Sequence, residues 1–344
     1  MYYGQENVPF VYFIVSAERS MNMKNVYIIA CGGTIAGRAD SASNLTGYTA
    51  GAVHINELLS AVPELDKVAR VHGEQLCNLD SSDMTEALWI KLAKTVEGVA
   101  VRDDVDGIVI THGTDTLEET AYFLNLTVHT HKPVIITGAM RPATALSADG
   151  PLNLWEAVQV AATPGAGQYG VLIVMNGTIC SARFGYKTDT THVQAFHGRQ
   201  MGVVGFVQNG IPYFYQAPLR CHTFQSKFDI PAETLPHVAI IYCHVGMTEK
   251  TVRALIQDVS GIILVGLGHG KNPNYIESVL KKAASTGVKI VRTSRVLGGI
   301  VSEGGGQGFI CGDSLIPQQA KILLQLSLNK GETEEEIQHN FRIY

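Results

Sequence analysis

One pattern in the first half of the chain constrains its fold most: a short, mostly apolar run that ends in a glycine-containing turn. Residues 26–30, 106–110 and 134–137 are such runs, and glycine follows each of them closely. Runs of this kind are typical of strands buried on both faces of a parallel sheet. Because the carboxyl ends of parallel strands share one edge of the sheet, the residues that follow the runs are expected to converge there.

Predicted helices alternate with these strands. A short helix is expected at residues 55–61, another after Asp83, a third from Leu117, and a fourth from Gly150 to about residue 162. Strands that alternate with helices predict an α/β fold in which a mostly parallel sheet is flanked by helices.

The helix predicted after Asp83 has an apolar stripe at helical spacing. The stripe consists of Met84, Leu88, Leu92 and Val96. Ser81, Ser82 or Asp83 is expected to cap this helix, because short polar side chains accept hydrogen bonds from the first free backbone N–H groups.

The chain is expected to form two domains. Residues 203–230 are rich in glycine, proline and aromatic residues and predict hairpins and a connector. A larger α/β domain is predicted at residues 24–230, a linker at 231–236, and a smaller α/β domain at 237–344. Residues 1–23 are interpreted as an N-terminal extension.

Charge and apolarity exclude two classes of partner. The formal net charge is -5 and the basic residues are scattered, whereas nucleic-acid binding normally needs a basic face. No apolar run approaches the ~20 residues of a membrane-spanning helix. The sequence therefore predicts neither a nucleic-acid partner nor a membrane span.

The N-terminus and the cysteines bear on the compartment. Residues 9–15 are apolar, but no lysine or arginine precedes them, so they match a secretory signal poorly. The six cysteines form no CxxC pair and are interpreted as reduced thiols. We expect a cytoplasmic protein; the periplasm is the alternative if residues 1–20 are a degenerate signal.

Chemically active side chains follow the predicted strands. They are the hydroxyls of Thr34, Ser81 and Thr114, the carboxylate of Asp115, the phenol of Tyr48 on a polar loop, and the amine of Lys187. A hydroxyl nucleophile needs an adjacent base, and Tyr48 or Lys187 meets that need if burial and neighbours lower its pKa. Backbone N–H groups at Thr34 and Thr114 suit an oxyanion hole. From the residues alone, the set suits acyl transfer or amide hydrolysis on a small polar substrate.

Structural roles are open for the same residues. Thr34 can cap a tight turn, Asp115 can cap the helix that follows it, and Lys187 can be a solvated loop residue. His112 is interpreted as a core histidine, because no second ligand stands at a metal-binding spacing. Residues 32–37 match neither the dinucleotide-binding glycine pattern nor the P-loop pattern, so a phosphate loop is not expected.

A set of segments carries a family resemblance. It comprises residues 32–37, 73–75, Ser81 with Asp83 and Met84, 110–122, 138–142, 147–151, 174–176, 187–188, 190–191, 294–296 and 317–326. With these segments the chain resembles the bacterial-type L-asparaginases, that is, the asparaginase/glutaminase family, and within it the type II branch. The resemblance runs from about Asn25 to Tyr344, and the pair of threonine motifs at this separation is highly specific.

The resemblance implies hydrolysis of L-asparagine to L-aspartate and ammonia, with weaker glutaminase activity in many members, and no cofactor or metal. It makes Thr34 the nucleophile, assisted by Tyr48. It makes Thr114, Asp115 and Lys187 a second triad. The substrate-binding positions that it implies are Gly33, Ser81, Ser82, Gly113, Thr114, Asp115, Ala139, His269 and Glu303. The implied fold is a larger N-terminal α/β domain with a smaller flavodoxin-like C-terminal α/β domain.

The same resemblance implies a homo-oligomer, usually a tetramer of intimate dimers in which the neighbour's C-terminal domain completes each site. Three positions depart from the family pattern. Ser82 stands where glutamine is usual, and His269 stands where asparagine is common. The segment after Val296 is short, and Glu303 is the nearest counterpart of a glutamate that serves the neighbour's site. These departures bear on specificity and affinity rather than on the reaction.

Two other functions are open from the sequence. One is the amidase subunit of a tRNA-dependent amidotransferase, which carries an additional N-terminal domain that residues 1–24 are too few to supply. The other is a small-ligand-binding α/β module without catalysis, which the departures at Ser82, at His269 and after Val296 favour.

Overall fold

The structure, a computed structural model, describes residues 23–303 and 308–344. The extension predicted at residues 1–23 therefore lies outside the described residues, apart from Met23. The described residues form a large, mostly parallel sheet and a separate parallel sheet, both flanked by helices. The predicted α/β class is thereby confirmed.

The large sheet belongs to the first part of the chain. The strands within residues 23–214 are β1 (Lys24–Gly32), β2 (Ala69–Leu79), β3 (Gly107–Thr111), β4 (Val134–Thr137), β5 (Val171–Met175), β6 (Thr178–Ser181), β7 (Tyr186–Lys187), β8 (Phe196–His197), β9 (Gly205–Gln208) and β10 (Ile211–Phe214). The sheet order is β10-β9-β6-β5-β4-β3-β1-β2, whereas β7 pairs with β8. Strands β2, β1, β3, β4 and β5 run parallel, and β6, β9 and β10 continue the sheet in antiparallel pairs.

Helices cover both faces of the large sheet. They are α1 (Ile55–Ser60), α2 (Glu86–Ala100), α3 (Leu117–Thr127) and α4 (Gly150–Ala161). Every residue of β3 is buried, and its side chains alternate between the two faces. Ile108 and Ile110 pack in the same apolar cluster as α2 and α3, whereas Val109 packs in the cluster of α1 and α4. This two-sided burial is what the apolar runs predict.

The predicted start and cap of α2 are wrong. Met84 precedes the helix, which begins at Glu86, and the Thr85 side chain caps it by accepting a hydrogen bond from the backbone N–H of Leu88. Residues Ser81–Asp83 instead form a separate 3₁₀ turn, in which the Asp80 side chain accepts from the backbone N–H of Ser82. The separate turn leaves Ser81 at the strand ends rather than on the helix.

The second sheet belongs to the last part of the chain. Its strands are β11 (Val238–Tyr242), β12 (Gly261–Gly266), β13 (Lys289–Ser294) and β14 (Ile310–Cys311), all parallel and in that order. The helices here are α5 (Glu249–Leu255), α6 (Asn274–Ser285), α7 (Pro317–Asn329) and α8 (Glu334–Ile343). Helix α7 packs against β11, β12 and β13 and also against α3, so one apolar cluster runs between the two sheets. The domain division at residues 231–236 stays a prediction.

Candidate active site

The first component of the site is the turn at the end of β1. Gly32 and Gly33 have φ angles of 90° and 79°, in the left-handed region that glycine tolerates. A Cβ atom on Gly33 would lie 2.3 Å from the Cα atom of Gly113, so the ends of β1 and β3 touch backbone to backbone. The turn places Thr34 at the start of a short 3₁₀ segment, and Thr34 is 7% exposed.

Thr34 is in hydrogen-bond contact with Tyr48. The Thr34 Oγ1 atom lies 2.6 Å from the phenolic oxygen, and either atom can be the donor. Tyr48 comes from the exposed loop after β1, and its ring packs over Gly37, where a Cβ atom would lie 2.8 Å from the Tyr48 ring. The two hydroxyls are therefore positioned to exchange a proton.

Tyr48 does not meet the condition under which it could act as the base, namely a lowered pKa. Burial raises the pKa of the Tyr48 phenol above its usual value, and the negative charges of Asp80 and Asp115 raise it further, although the hydrogen bond with Thr34 opposes this shift. The phenol is consequently protonated near neutral pH. A protonated phenol cannot act as a preformed base, but it can accept one proton while it releases another.

Thr114, Asp115 and Lys187 form the second component. The Lys187 ammonium donates to Thr114 Oγ1 at 2.9 Å and to Asp115 Oδ1 at 2.6 Å. Lys187 lies on β7, which pairs with β8 through Tyr186 and His197, so it is not the solvated loop residue that the sequence left open as an alternative. The Thr114 oxygen already accepts from Lys187, so its own hydrogen is free to point into the site.

Ser81 fastens the end of β2 to the end of β3. Its hydroxyl oxygen accepts from the backbone N–H of Asp115 at 3.1 Å, and its carbonyl accepts from the Thr116 hydroxyl at 2.9 Å. A Cβ atom on Gly113 would lie 2.6 Å from Ser81 Oγ, which shows how closely the two strand ends pack. Ser82 differs: it is exposed, and its hydroxyl donates to Asp80.

A cavity of about 640 Å³ opens at these strand ends. Its lining residues are Thr34, Leu45, Thr46, Tyr48, Thr114, Asp115, Met140, Arg141, Lys187, Thr190, Thr191, His192, Val193 and Gln194. The five residues that the sequence assigns to catalysis are all in this lining. Both components thus face one space, as the convergence of strand ends predicts.

Several of the predicted substrate-binding residues do not line the cavity. Gly33, Gly113, Ser81 and Ala139 lie buried beneath it, where they support the strand ends. Ser82 lies outside it.

The two predicted positions of the second sheet are also absent from the lining. The His269 Nε2 atom accepts from the backbone N–H of Ser302, and Glu303 pairs with Arg342. Their role at the site of a neighbouring subunit stays a prediction.

The loop between β7 and β8 contributes lining residues that the sequence did not assign to the site. Residues 190–194 come from this loop. The Asp189 side chain holds it by accepting from the backbone N–H groups of Thr191 and His192, both at 2.8 Å. An aspartate that accepts from backbone N–H groups two and three residues later is a local turn signal that the sequence carries.

His112 lies beneath the second component and is fully buried. Its Nδ1 atom is 2.7 Å from the Gly113 carbonyl, to which it donates, and its Nε2 atom is 3.1 Å from the Thr120 hydroxyl. Trp89 donates to that same hydroxyl at 2.8 Å. Burial lowers the pKa of His112 to about 4, so the imidazole is neutral. The interpretation of His112 as a core histidine agrees with these contacts.

Glu118 is a buried acidic residue near the site whose pKa differs from its usual value. It lies in the first turn of α3, is 5% exposed, and its Oε1 atom accepts from Gln318 at 3.5 Å. Burial raises the pKa of Glu118 to about 7, and the nearby carboxylate of Glu119 adds to the effect while Lys187 opposes it. This carboxyl therefore changes charge close to neutral pH.

The described residues contain neither a group of three or more histidine, cysteine, aspartate or glutamate side chains able to hold a metal ion nor a helix long and apolar enough to cross a membrane.

The chain matches known proteins over nearly its full length. Residues 25–220 match the model of the N-terminal asparaginase domain, and residues 237–341 match that of the glutaminase/asparaginase C-terminal domain. The chain is 41% identical over 332 residues to L-asparaginase 2 of Escherichia coli strain K12, covering 94% of each chain. It is 42% identical over 330 residues to a glutaminase-asparaginase of Pseudomonas aeruginosa, covering 94% of this chain and 91% of that one.

A solved structure has the same fold. The crystal structure of a probable cytoplasmic L-asparaginase from Campylobacter jejuni superposes with a TM-score of 0.90 at 40% identity. The superposition covers 93% of this chain and 100% of that one.

Proposed function

The chain belongs to the asparaginase family, and we propose that it hydrolyses the side-chain amide of L-asparagine to L-aspartate and ammonia with Thr34 as the nucleophile. The observation that carries the proposal is the convergence of two threonine hydroxyls on one cavity, each with a different proton partner. Thr34 contacts the phenol of Tyr48, and Thr114 contacts the ammonium of Lys187.

Substrate orientation follows from charge. The Asp115 carboxylate keeps one oxygen free of Lys187, which suits the α-amino group of asparagine. Ser81 is buried beneath the cavity lining, and its hydroxyl oxygen holds Asp115 in place by accepting from the backbone N–H of that residue. With the α-amino group on Asp115, the side-chain amide extends toward Thr34.

The first step is attack by Thr34 Oγ1 on the amide carbon. The Thr34 proton passes to the Tyr48 oxygen while the Tyr48 hydrogen passes to the amide nitrogen, so the phenol stays neutral. Backbone N–H groups at Thr34 and Thr114 stabilise the oxyanion. The carbon–nitrogen bond then breaks, ammonia leaves, and an aspartyl ester remains on Thr34. A neutral relay of this kind is consistent with the raised pKa of Tyr48.

The second step is hydrolysis of that ester. The Thr114 hydroxyl, fixed by Lys187, positions a water molecule in the cavity, and Asp115 fixes Lys187 in turn. The water oxygen attacks the ester carbon, the bond between that carbon and Thr34 Oγ1 breaks, a water proton passes to Oγ1, and L-aspartate leaves.

We also propose minor glutaminase activity. One of the relatives is named a glutaminase-asparaginase, which supports this activity. Steady-state ammonia release from asparagine and from glutamine, measured side by side, tests both activities. We expect turnover of both amides with a higher kcat/KM for asparagine. Tight binding of asparagine in calorimetry without ammonia release would instead favour a ligand-binding module.

A homotetramer and a cytoplasmic location are also proposed. His269 and Glu303 are absent from the lining of their own chain's cavity, which supports the idea that they serve a neighbouring subunit. All six cysteines are free thiols, which supports a reducing compartment, and the periplasm stays the alternative. Light scattering of the full chain and fractionation of cells test these two points.

A further inference from the structure

Two cysteines face each other where β1 and β2 pair irregularly. The register runs from Ala30 opposite Gln75 to Gly32 opposite Leu79, so Cys31 is opposed by residues 76–78. Cys77 lies in that bulge. Its Sγ atom is 3.6 Å from the Cys31 carbonyl oxygen, and both side chains pack against the same apolar cluster.

The two thiols differ in exposure. Cys31 is 1% exposed, whereas Cys77 is half-buried. On the exposed side Lys91 of α2 reaches the bulge, where its ammonium donates to the Leu76 carbonyl at 3.4 Å. An oxidant in solution therefore reaches Cys77 first, and Cys31 is the thiol behind it.

The acidities of the two thiols differ in direction. A hydrogen bond from the Cys31 thiol lowers the pKa of Cys77, burial opposes the shift, and the charge of Lys91 adds to it. The same hydrogen bond, burial and the Cys77 charge raise the pKa of Cys31. The thiolate is the reactive form of cysteine, so the more exposed thiol is also the more reactive one.

We propose that Cys77 and Cys31 are a hydroperoxide-sensitive pair, whose disulfide forms beside the turn that carries Thr34 and slows amide hydrolysis. The Cys77 thiolate attacks one peroxide oxygen, the O–O bond breaks, and Cys77 sulfenic acid and hydroxide form. The Cys31 sulfur then attacks the Cys77 sulfur. The S–O bond breaks, water leaves with the Cys31 proton, and the disulfide remains. The peroxide is the electron acceptor in this sequence.

The position of the pair links it to the site. Gly33 donates from its backbone N–H to the Leu79 carbonyl at 2.9 Å, just beyond the bulge. A Cβ atom on Gly32 would lie 2.6 Å from the Leu79 nitrogen, so the two strand ends have no free space between them. A disulfide holds its sulfurs about 2.0 Å apart, closer than two thiols in contact. Its closure draws β2 toward β1 and shifts Thr34 against Tyr48.

The expected loss of activity rests on the proposed function, so the experiment has two independent readouts. The reduced full chain is treated with hydrogen peroxide, and non-reducing peptide mapping is run beside ammonia release from asparagine. We expect a linked peptide that contains Cys31 and Cys77, a several-fold fall in kcat, and recovery of both with dithiothreitol.

Three variants sharpen the test. Cys77→Ser should give neither the linked peptide nor the peroxide-dependent loss, whereas Cys221→Ser, at a second half-buried thiol, should behave as the wild type. Lys91→Gln should slow the reaction with peroxide. No linked peptide, or a linked peptide with full activity, would overturn the proposal. An inactive reduced enzyme would instead contradict the proposed function, and the mapping would still decide whether the pair forms.

Discussion

Each of the two components of the cavity places a threonine hydroxyl beside a proton partner, but the two partners are held in different ways. Thr34 lies on a glycine turn, and its partner Tyr48 comes from a loop whose neighbouring residues are exposed. Thr114 lies at the end of a fully buried strand, and its partner Lys187 is fixed by an ion pair with Asp115 and by a strand pair. In the proposed mechanism the first component moves a proton between neutral hydroxyls, and the second presents a fixed charge. We infer that the first makes and breaks the covalent bond, and that the second positions substrate and water.

Replacing each threonine separately should have the largest effects on kcat and should show that the two hydroxyls have different roles. We expect Thr34→Ala to lower kcat by at least about a thousand-fold, because no other hydroxyl in the first component can form the ester. Thr114→Val should lower kcat strongly as well but should leave ester formation on Thr34 detectable. Circular dichroism should show both variants folded. A Thr34→Ala enzyme with wild-type turnover would contradict the assignment of roles.

Removing the charge of the second component should have the next largest effect. Lys187→Met leaves Thr114 without its donor and Asp115 without its ion pair, so we expect kcat to fall by about a hundred-fold or more. Lys330→Met serves as a matched control, because Lys330 is an ion-paired lysine that does not line the cavity. Steady-state kinetics on asparagine measures both variants, and equal rates would contradict a catalytic role for Lys187.

Removing the phenol of the first component should have a smaller effect than removing either threonine. Tyr48→Phe deletes the 2.6 Å contact with Thr34 and keeps the packing of the ring. We expect kcat to fall by about ten- to a hundred-fold, with KM nearly unchanged, because the lost contact serves proton transfer. A rise in KM without a change in kcat would make Tyr48 a binding residue instead.

Acid should lower the stability of the fold through His112, which lies beneath the second component. Its folded pKa is about 4, below the usual value near 6.5, so the fold favours the neutral imidazole. The stability from this preference is present above pH 6.5 and is lost as the pH falls toward 4, by about 3 kcal/mol in total. Urea unfolding of the wild type and of His112→Gln, at neutral pH and near pH 4, measures the difference. A parallel pH dependence in both proteins would contradict it.

The pH dependence of stability that Glu118 contributes is opposite to that of His112, so the two contributions have to be measured separately. Its folded pKa of about 7 lies above the usual 4.5, so its contribution is present below pH 4.5 and is lost as the pH rises through 7. Glu118→Gln removes this dependence and serves as the control in the same unfolding experiments.

The sequence predicts best what short-range signals specify. Apolar runs with glycine turns predicted the buried parallel strands and the shared edge, and the α/β class and the family resemblance are confirmed. The start of α2 was wrong, because Ser81 to Asp83 and Thr85 are all good caps, and the choice between them depends on the tertiary contacts of Ser81. Local sequence does not contain those contacts.

Several features of the site could not be predicted from local sequence patterns. The pairing of β7 with β8, which fixes Lys187, involves short segments with no apolar period. The direction of the Tyr48 pKa depends on burial and on two carboxylates from other segments of the chain. The contacts of His269 and Glu303 depend in the same way on the packing of the second sheet. The sequence predicted the residue types and the pairing of Thr114 and Asp115 with Lys187, whereas it did not predict the direction of the Tyr48 pKa shift.

Trapping of the covalent intermediate tests most directly whether Thr34 is the attacking group. The enzyme is mixed with asparagine, quenched in acid within one turnover, digested, and mapped by mass spectrometry. We expect an aspartyl ester on the peptide that contains Thr34, absent in Thr34→Ala and accumulating in Thr114→Val. An ester on Thr114, or ammonia release in that turnover with no ester on either threonine, would contradict the division of labour between the two components.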